Sequence, residues 1–191
     1  MDISIVFDHL YISLTAWLAG IAIGCSFGYF FAQIFFNQAS VKPDIDWKII
    51  LFPWRSLIFI LILLVWSPLL AIWLGLGNLT GIVMVGITLS ILSLSMTMST
   101  LFHKRFPVSI KSALLSNTRT LLIIAIFVTL GVGYVGAGGF GFYFYQLVNL
   151  LNYNQLIKGF ILLGLIAIFL DLILGFVQYL VVRASNPSPS E

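Results

Sequence analysis

The chain has 191 residues, of which 61% are hydrophobic and only 8% charged, against about 25% charged in an ordinary soluble domain. With a mean hydropathy of +1.13, it carries more apolar side chains than a water-soluble core of this size could hide, which points to lipid as the solvent. The net charge of +3 comes from nine Lys and Arg against six Asp and Glu. The basic residues sit mostly in the gaps between apolar runs, which is a topology signal and excludes a nucleic-acid-binding patch.

Runs of about 20 apolar residues without strict alternation predict membrane-spanning helices rather than barrel strands. The expected fold is therefore all-α and polytopic, with about five spans. In chain order they cover Leu10 to Phe36, Ile49 to Leu74, Leu79 to Phe102, Ala113 to Val135 and Ile157 to Val182. No cleaved signal peptide is expected, because Asp2 and Asp8 stand where a basic region would be and the first apolar run is too long. Cys25, the single cysteine, lies inside that run, has no disulfide partner in the chain and reads as a small packing residue.

In the second span Pro53 and Pro68 each remove a backbone donor and break the helix locally. Breaks at depth are tolerated where neighbours or water satisfy the freed carbonyls, so Trp66, Pro68 and Asn78 are candidates to line a pathway. Trp54, Trp66 and Trp73 also suit the membrane–water boundary as anchors. Between the fourth and fifth spans, the glycine and aromatic stretch from Gly136 to Gln146 is too short to cross, and predicts an interfacial helix or a re-entrant element.

Lys42, Lys48 and Arg55 flank the first connection; Lys104, Arg105, Lys111 and Arg119 crowd the third; Arg183 follows the last span. Placing these in the cytoplasm sets the N-terminus outside and the C-terminus inside, as an odd number of spans requires. Residues 1–183 read as one transmembrane domain, with a disordered Ser/Pro-rich tail over 184–191. The membrane is of the bacterial cytoplasmic (inner) type, a thylakoid being the alternative.

Asp171 is the one acid deep in an apolar run, and must face protein or water, or be neutral. Arg119 or a backbone amide is the expected partner. His9 and His103, placed at span ends without acidic or cysteine companions, predict no metal site. There is no nucleophile elbow, Walker lysine or zinc motif, so no catalytic residue and no cofactor is expected. His103, Lys104, Arg105 and Pro107 form a candidate cytoplasmic docking loop, although basic clusters at membrane edges are commonly topology determinants.

Four motifs, in order, resemble the permease subunits of ATP-binding-cassette importers, in the nitrate, taurine, alkanesulfonate and bicarbonate group. They are His9 to Ala16 followed by Gly20, Gly24 and Gly28; Trp66-Ser-Pro-Leu and Leu74-Gly-Leu-Gly-Asn78; Gly136-Ala-Gly-Gly-Phe-Gly141; and Ile166 to Gly175 with its single acid. The resemblance implies the type I importer arrangement of five core spans in this orientation. It also implies membrane partners, as a dimer or with a second permease, together with an ATPase and a solute-binding protein. The chain departs from the family in two places. The stretch Leu101-Phe-His-Lys-Arg-Phe-Pro107 is too short for the Glu-Ala-Ala docking helix, and Thr129 to Tyr134 lacks the acid expected late in the fourth span. Two functions are therefore expected of such a chain: importer permease for a small polar or anionic solute, or a coupling-incompetent homologue serving as an accessory subunit of a larger membrane complex.

Overall fold

A computed structural model describes residues 3–38, 68–102 and 110–185, all helical apart from short turns. The helices are α1 (Ile3–Gln38), α2 (Asn78–Phe102), α3 (Ile110–Val132), α4 (Gly139–Asn149) and α5 (Tyr153–Ser185), with a π-helical turn over Gly133–Ala137 and a short helical segment over 68–74. Among the described residues, α1, α2, α3 and α5 are long and apolar enough to cross a bilayer. The chain is thus an all-helical integral membrane protein. The expected second span lies outside the described residues as far as Ser67.

The observed boundaries differ from the predicted ones where hydropathy is a poor guide to helix ends. α1 begins at Ile3 rather than Leu10, the helix running on through exposed Asp8 and buried His9, polar residues that hydropathy counts against a span. α3 ends at Val132, and the expected fourth span is interrupted there by glycines. Gly136, Gly138 and Gly139 all have positive φ, at 100°, 84° and 63°, a region that side chains bearing a Cβ rarely enter. Gly75 and Gly77, at 82° and 147°, shape the entry to α2 in the same way.

Serine and threonine in the spans mostly bond to their own helix. Ser13 donates to the His9 carbonyl at 2.8 Å, Thr88 to Met84 at 2.9 Å, Ser90 to Gly86 at 2.7 Å and Thr129 to Ala125 at 2.7 Å. Such back-bonding leaves few polar groups to satisfy in hydrocarbon.

Contacts fix the relative sense of the helices. Along α1, Gly20, Gly24 and Gly28 meet Leu89, Ser93 and Thr97 of α2 in ascending order, so these two helices run parallel. Their backbones approach so closely that a Cβ on Gly20 would lie 2.5 Å from that of Leu89, the packing that small residues four apart allow. Cys25 occupies this seam, its Sγ 3.3 Å from Ser93 Oγ and 3.4 Å from Thr97 Oγ1, in the small packing role expected of it.

α3 runs the other way. Asn117 reaches back to Thr100 of α2 at 2.9 Å, and Trp17 Nε1 donates to the Thr118 carbonyl at 2.9 Å, while Ile126 lies opposite His9. α5 is antiparallel to α3, with Arg119 opposite Asp171. Three long helices therefore run in one sense and α3 in the other.

α3 sits between two apolar clusters. Leu121, Ala125 and Val132 pack with Ala16, Val85 and Leu89, and Leu122 and Ile126 pack with Phe140, Phe144, Leu163 and Ala167. The short α4, about 16 Å long, buries Phe140, Phe144 and Leu147 and cannot cross a bilayer. Its start is pressed onto the π-helical turn that follows α3, since a Cβ at Gly141 would meet the Gly133 Cα at 2.6 Å. Its other end makes a hairpin with α5, where Tyr143 donates to Gln155 at 3.0 Å and Phe144 packs on Phe160 with ring centroids 4.5 Å apart.

Candidate functional site

Among the described residues, two polar features stand out in the apolar bundle. The first is built on the α3–α5 contact. Arg119 points its guanidinium at α5, where Nε and Nη2 donate to the two carboxylate oxygens of Asp171 at 3.0 and 2.7 Å. Nη1 donates to Gln178 Oε1 at 3.0 Å. Asp171, Gly175 and Gln178 lie on one face of α5, and the guanidinium lies over Gly175, where a Cβ would be 3.2 Å from Cζ. Glycine at 175 is what lets a planar, bidentate pair form flat against the helix.

The pair sits about 9 Å along α3 from Ala113, where that helix becomes apolar enough to span. Each side chain stays 31% exposed. The geometry neutralises Asp171 by pairing, and leaves the group half open to whatever surrounds α3 and α5.

The second feature is His9. It was expected at a span boundary, but it is fully buried. Its Nε2–H donates to the Ile126 carbonyl at 3.1 Å, and its ring meets Phe140 edge-on at 5.2 Å. Gly139 packs on its backbone, with a Cβ there only 3.1 Å from the His9 Cα. Nδ1 is buried without a hydrogen-bond partner. His9 thus joins α1, α3 and the start of α4 by one hydrogen bond and by volume. No group of three or more His, Cys, Asp or Glu able to hold a metal occurs among the described residues.

A packing role for His9 has a testable signature. His9→Ala is expected to cost about 2–4 kcal/mol through the cavity it leaves. His9→Leu keeps most of the volume and removes the unpaired nitrogen together with its bond, so it is expected to stay within about 1 kcal/mol of wild type. Unfolding in mixed micelles, followed by circular dichroism, measures both.

The glycine turns meet at the same end of the bundle. A Cβ at Gly136 would be 2.8 Å from Leu76 Cδ2, and one at Gly138 would be 3.1 Å from Asn78 Oδ1. The Leu74-Gly-Leu-Gly-Asn78 turn and the Gly136–Gly139 break, far apart in sequence, therefore interlock. Thr80 closes the entry to α2 by donating to the Gly75 carbonyl.

Of the candidates for pathway lining, Asn78 meets this glycine break, and Pro68 is exposed at the start of the 68–74 segment. Trp73 projects outward, 88% exposed, as an anchor would. Trp66 and the candidate docking residues His103, Lys104, Arg105 and Pro107 lie outside the described residues. Comparison with protein-family models, curated proteins and solved structures returns no match.

Proposed function

We propose that this chain is a permease-type transmembrane subunit of an ATP-binding-cassette importer, moving a small polar or anionic solute across a cytoplasmic-type membrane as a dimer or beside a second permease. The observation that carries this reading is the sense of the helices. With α1, α2 and α5 running one way and α3 the other, connectivity calls for one return crossing between α1 and α2. In this reading that crossing is assigned to the span expected from the sequence over Ile49 to Leu74, most of which lies outside the described residues. Five crossings with the termini on opposite sides, and the basic residues of the α2–α3 connection, the start of α3 and the end of α5 in the cytoplasm, then agree with what the motif resemblance implies. Hydrolysis of ATP belongs to a partner in this reading.

A second reading is favoured by the connection between α2 and α3. The stretch from Leu101 to Pro107 has no room for an ATPase-docking helix, and nucleotide-driven transport needs an element that touches both subunits. In that reading the fold survives as an accessory subunit of a larger membrane assembly.

Purification through a C-terminal tag in gentle detergent, with mass spectrometry of co-purifying chains, separates the two. Recovery of an ATP-binding-cassette ATPase, with or without a solute-binding protein, is the expected result. Recovery of a different membrane complex with no ATPase overturns the importer reading and leaves the accessory one.

A further inference from the structure

We propose that the groove between α3 and α5 is a binding site for an acyl chain of an anionic phospholipid, held in the leaflet at the C-terminal end of α5. The groove has a volume of about 360 Å³, and its lining includes Ile123 and Phe127 of α3 and Gly164, Ile168, Asp171 and Leu172 of α5. It opens to the outside of the bundle, since Phe127, Ile168 and Leu172 are all exposed. Gly164 creates the space, because a Cβ there would meet nothing within 4 Å.

The charge arrangement selects the occupant. Arg183 is exposed in the last turn of α5 and falls on the same helical stripe as Ile168, Leu172 and Tyr179, about three turns beyond Leu172. Tyr179, also exposed, suits the headgroup boundary. From Tyr179 to Ile168 is about 16 Å along the helix, close to the roughly 15 Å hydrocarbon depth of one leaflet. A phospholipid whose phosphate pairs with Arg183 therefore lays its tail past Leu172 into the groove. The partly exposed Arg119–Asp171 pair sits beside the deeper part of that tail, with Asp171 about 12 Å along the helix from Tyr179. A partner helix would fill the groove without needing a cation in register at its mouth.

The test is native mass spectrometry of the full chain, delipidated in detergent and titrated with phosphatidylglycerol or phosphatidylcholine. Wild type is expected to retain one phosphatidylglycerol in preference to phosphatidylcholine. Gly164→Phe, which fills the groove, is expected to weaken retention about tenfold, the equivalent of withdrawing two methylenes. Arg183→Gln is expected to weaken phosphatidylglycerol about fivefold and to remove the preference. Circular dichroism and gel filtration check that each variant folds, and Ile168→Trp fills the same groove should Gly164→Phe fail. A wild type that retains no phospholipid, or groove-filling variants that retain it unchanged, overturns the proposal. So does loss of a co-purifying protein chain instead of lipid, which assigns the groove to a partner helix.

Discussion

Alanine at Gly24 is expected to destabilise the bundle by about 3 kcal/mol, and leucine there to prevent its assembly. The Cβ of an alanine would be driven into the Ser90 carbonyl oxygen, to 2.5 Å from the Ser93 Cβ and to 2.9 Å from the Leu94 amide nitrogen. Two of these three neighbours are backbone atoms of α2, so no side chain can rotate out of the way. Relief requires the two helices to separate, which loosens the contacts of Gly20 with Leu89 and of Gly28 with Thr97 along the same seam. Overpacking of a tight interface costs about 1–3 kcal/mol where neighbours can adjust, and these cannot. Gly86→Ala is the matched control on α2. Its Cβ would find only the Ala16 carbonyl, at 3.9 Å, an ordinary contact, so stability should change by no more than about 0.5 kcal/mol. Unfolding curves in mixed micelles measure both. Equal effects of the two substitutions would show that the α1–α2 seam is looser than described.

The second large effect is expected at the Arg119–Asp171 pair. Asp171→Leu leaves the guanidinium without its two carboxylate bonds, inside the stretch where α3 spans. Arg119→Met leaves the carboxylate of α5 in the same position. A pair broken on one side strands a charge, whereas removing both partners strands none. Each single substitution is therefore expected to reduce the yield of folded, monodisperse protein several-fold. The double variant Arg119→Met with Asp171→Leu is expected to recover most of it. Fluorescence-detected gel filtration of the four proteins gives the comparison. If the double variant is as stable as wild type but has lost transport or partner binding, the pair serves function as well as assembly. If it recovers both, the pair is a fastener between α3 and α5. Simple replacement by Asn is the milder test, since an amide keeps one acceptor for Arg119 while the charge is lost. A structural pair predicts that it is better tolerated than Leu.

The parts of the molecule legible in the sequence are those set by local composition. Apolar runs placed α2, α3, α5 and the end of α1 to within a few residues, because a span must satisfy its own backbone whatever its neighbours do, while the start of α1 lies at Ile3, well before the expected Leu10. The stretch from Gly136 to Gln146 read as too short to cross, and a short helix stands there, entered through the positive φ of Gly136, Gly138 and Gly139. Asp171 needed a partner, and Arg119 was a nameable one, because ionisable residues are so few in the spans that the choice was short.

What the sequence could not reveal was which faces meet. Gly20, Gly24 and Gly28 announce a close contact, but nothing in their spacing says that it is made with Leu89, Ser93 and Thr97, or that α1 and α2 lie parallel. His9 read as a boundary residue because its partner is the Ile126 carbonyl, and a backbone acceptor leaves no signature in the sequence. The groove at Gly164 is a missing side chain opposite Ile123 and Phe127, and to hydropathy it is one more glycine among many. By itself, the sequence determined that this protein lives in a bilayer as helices, since lipid offers no partner to an unpaired peptide group. Only the tertiary structure decided which glycines are contact points, which polar groups are locked together and which face stays open. Those outcomes depend on distances between helices, and lipid contributes little hydrophobic preference for one packing over another.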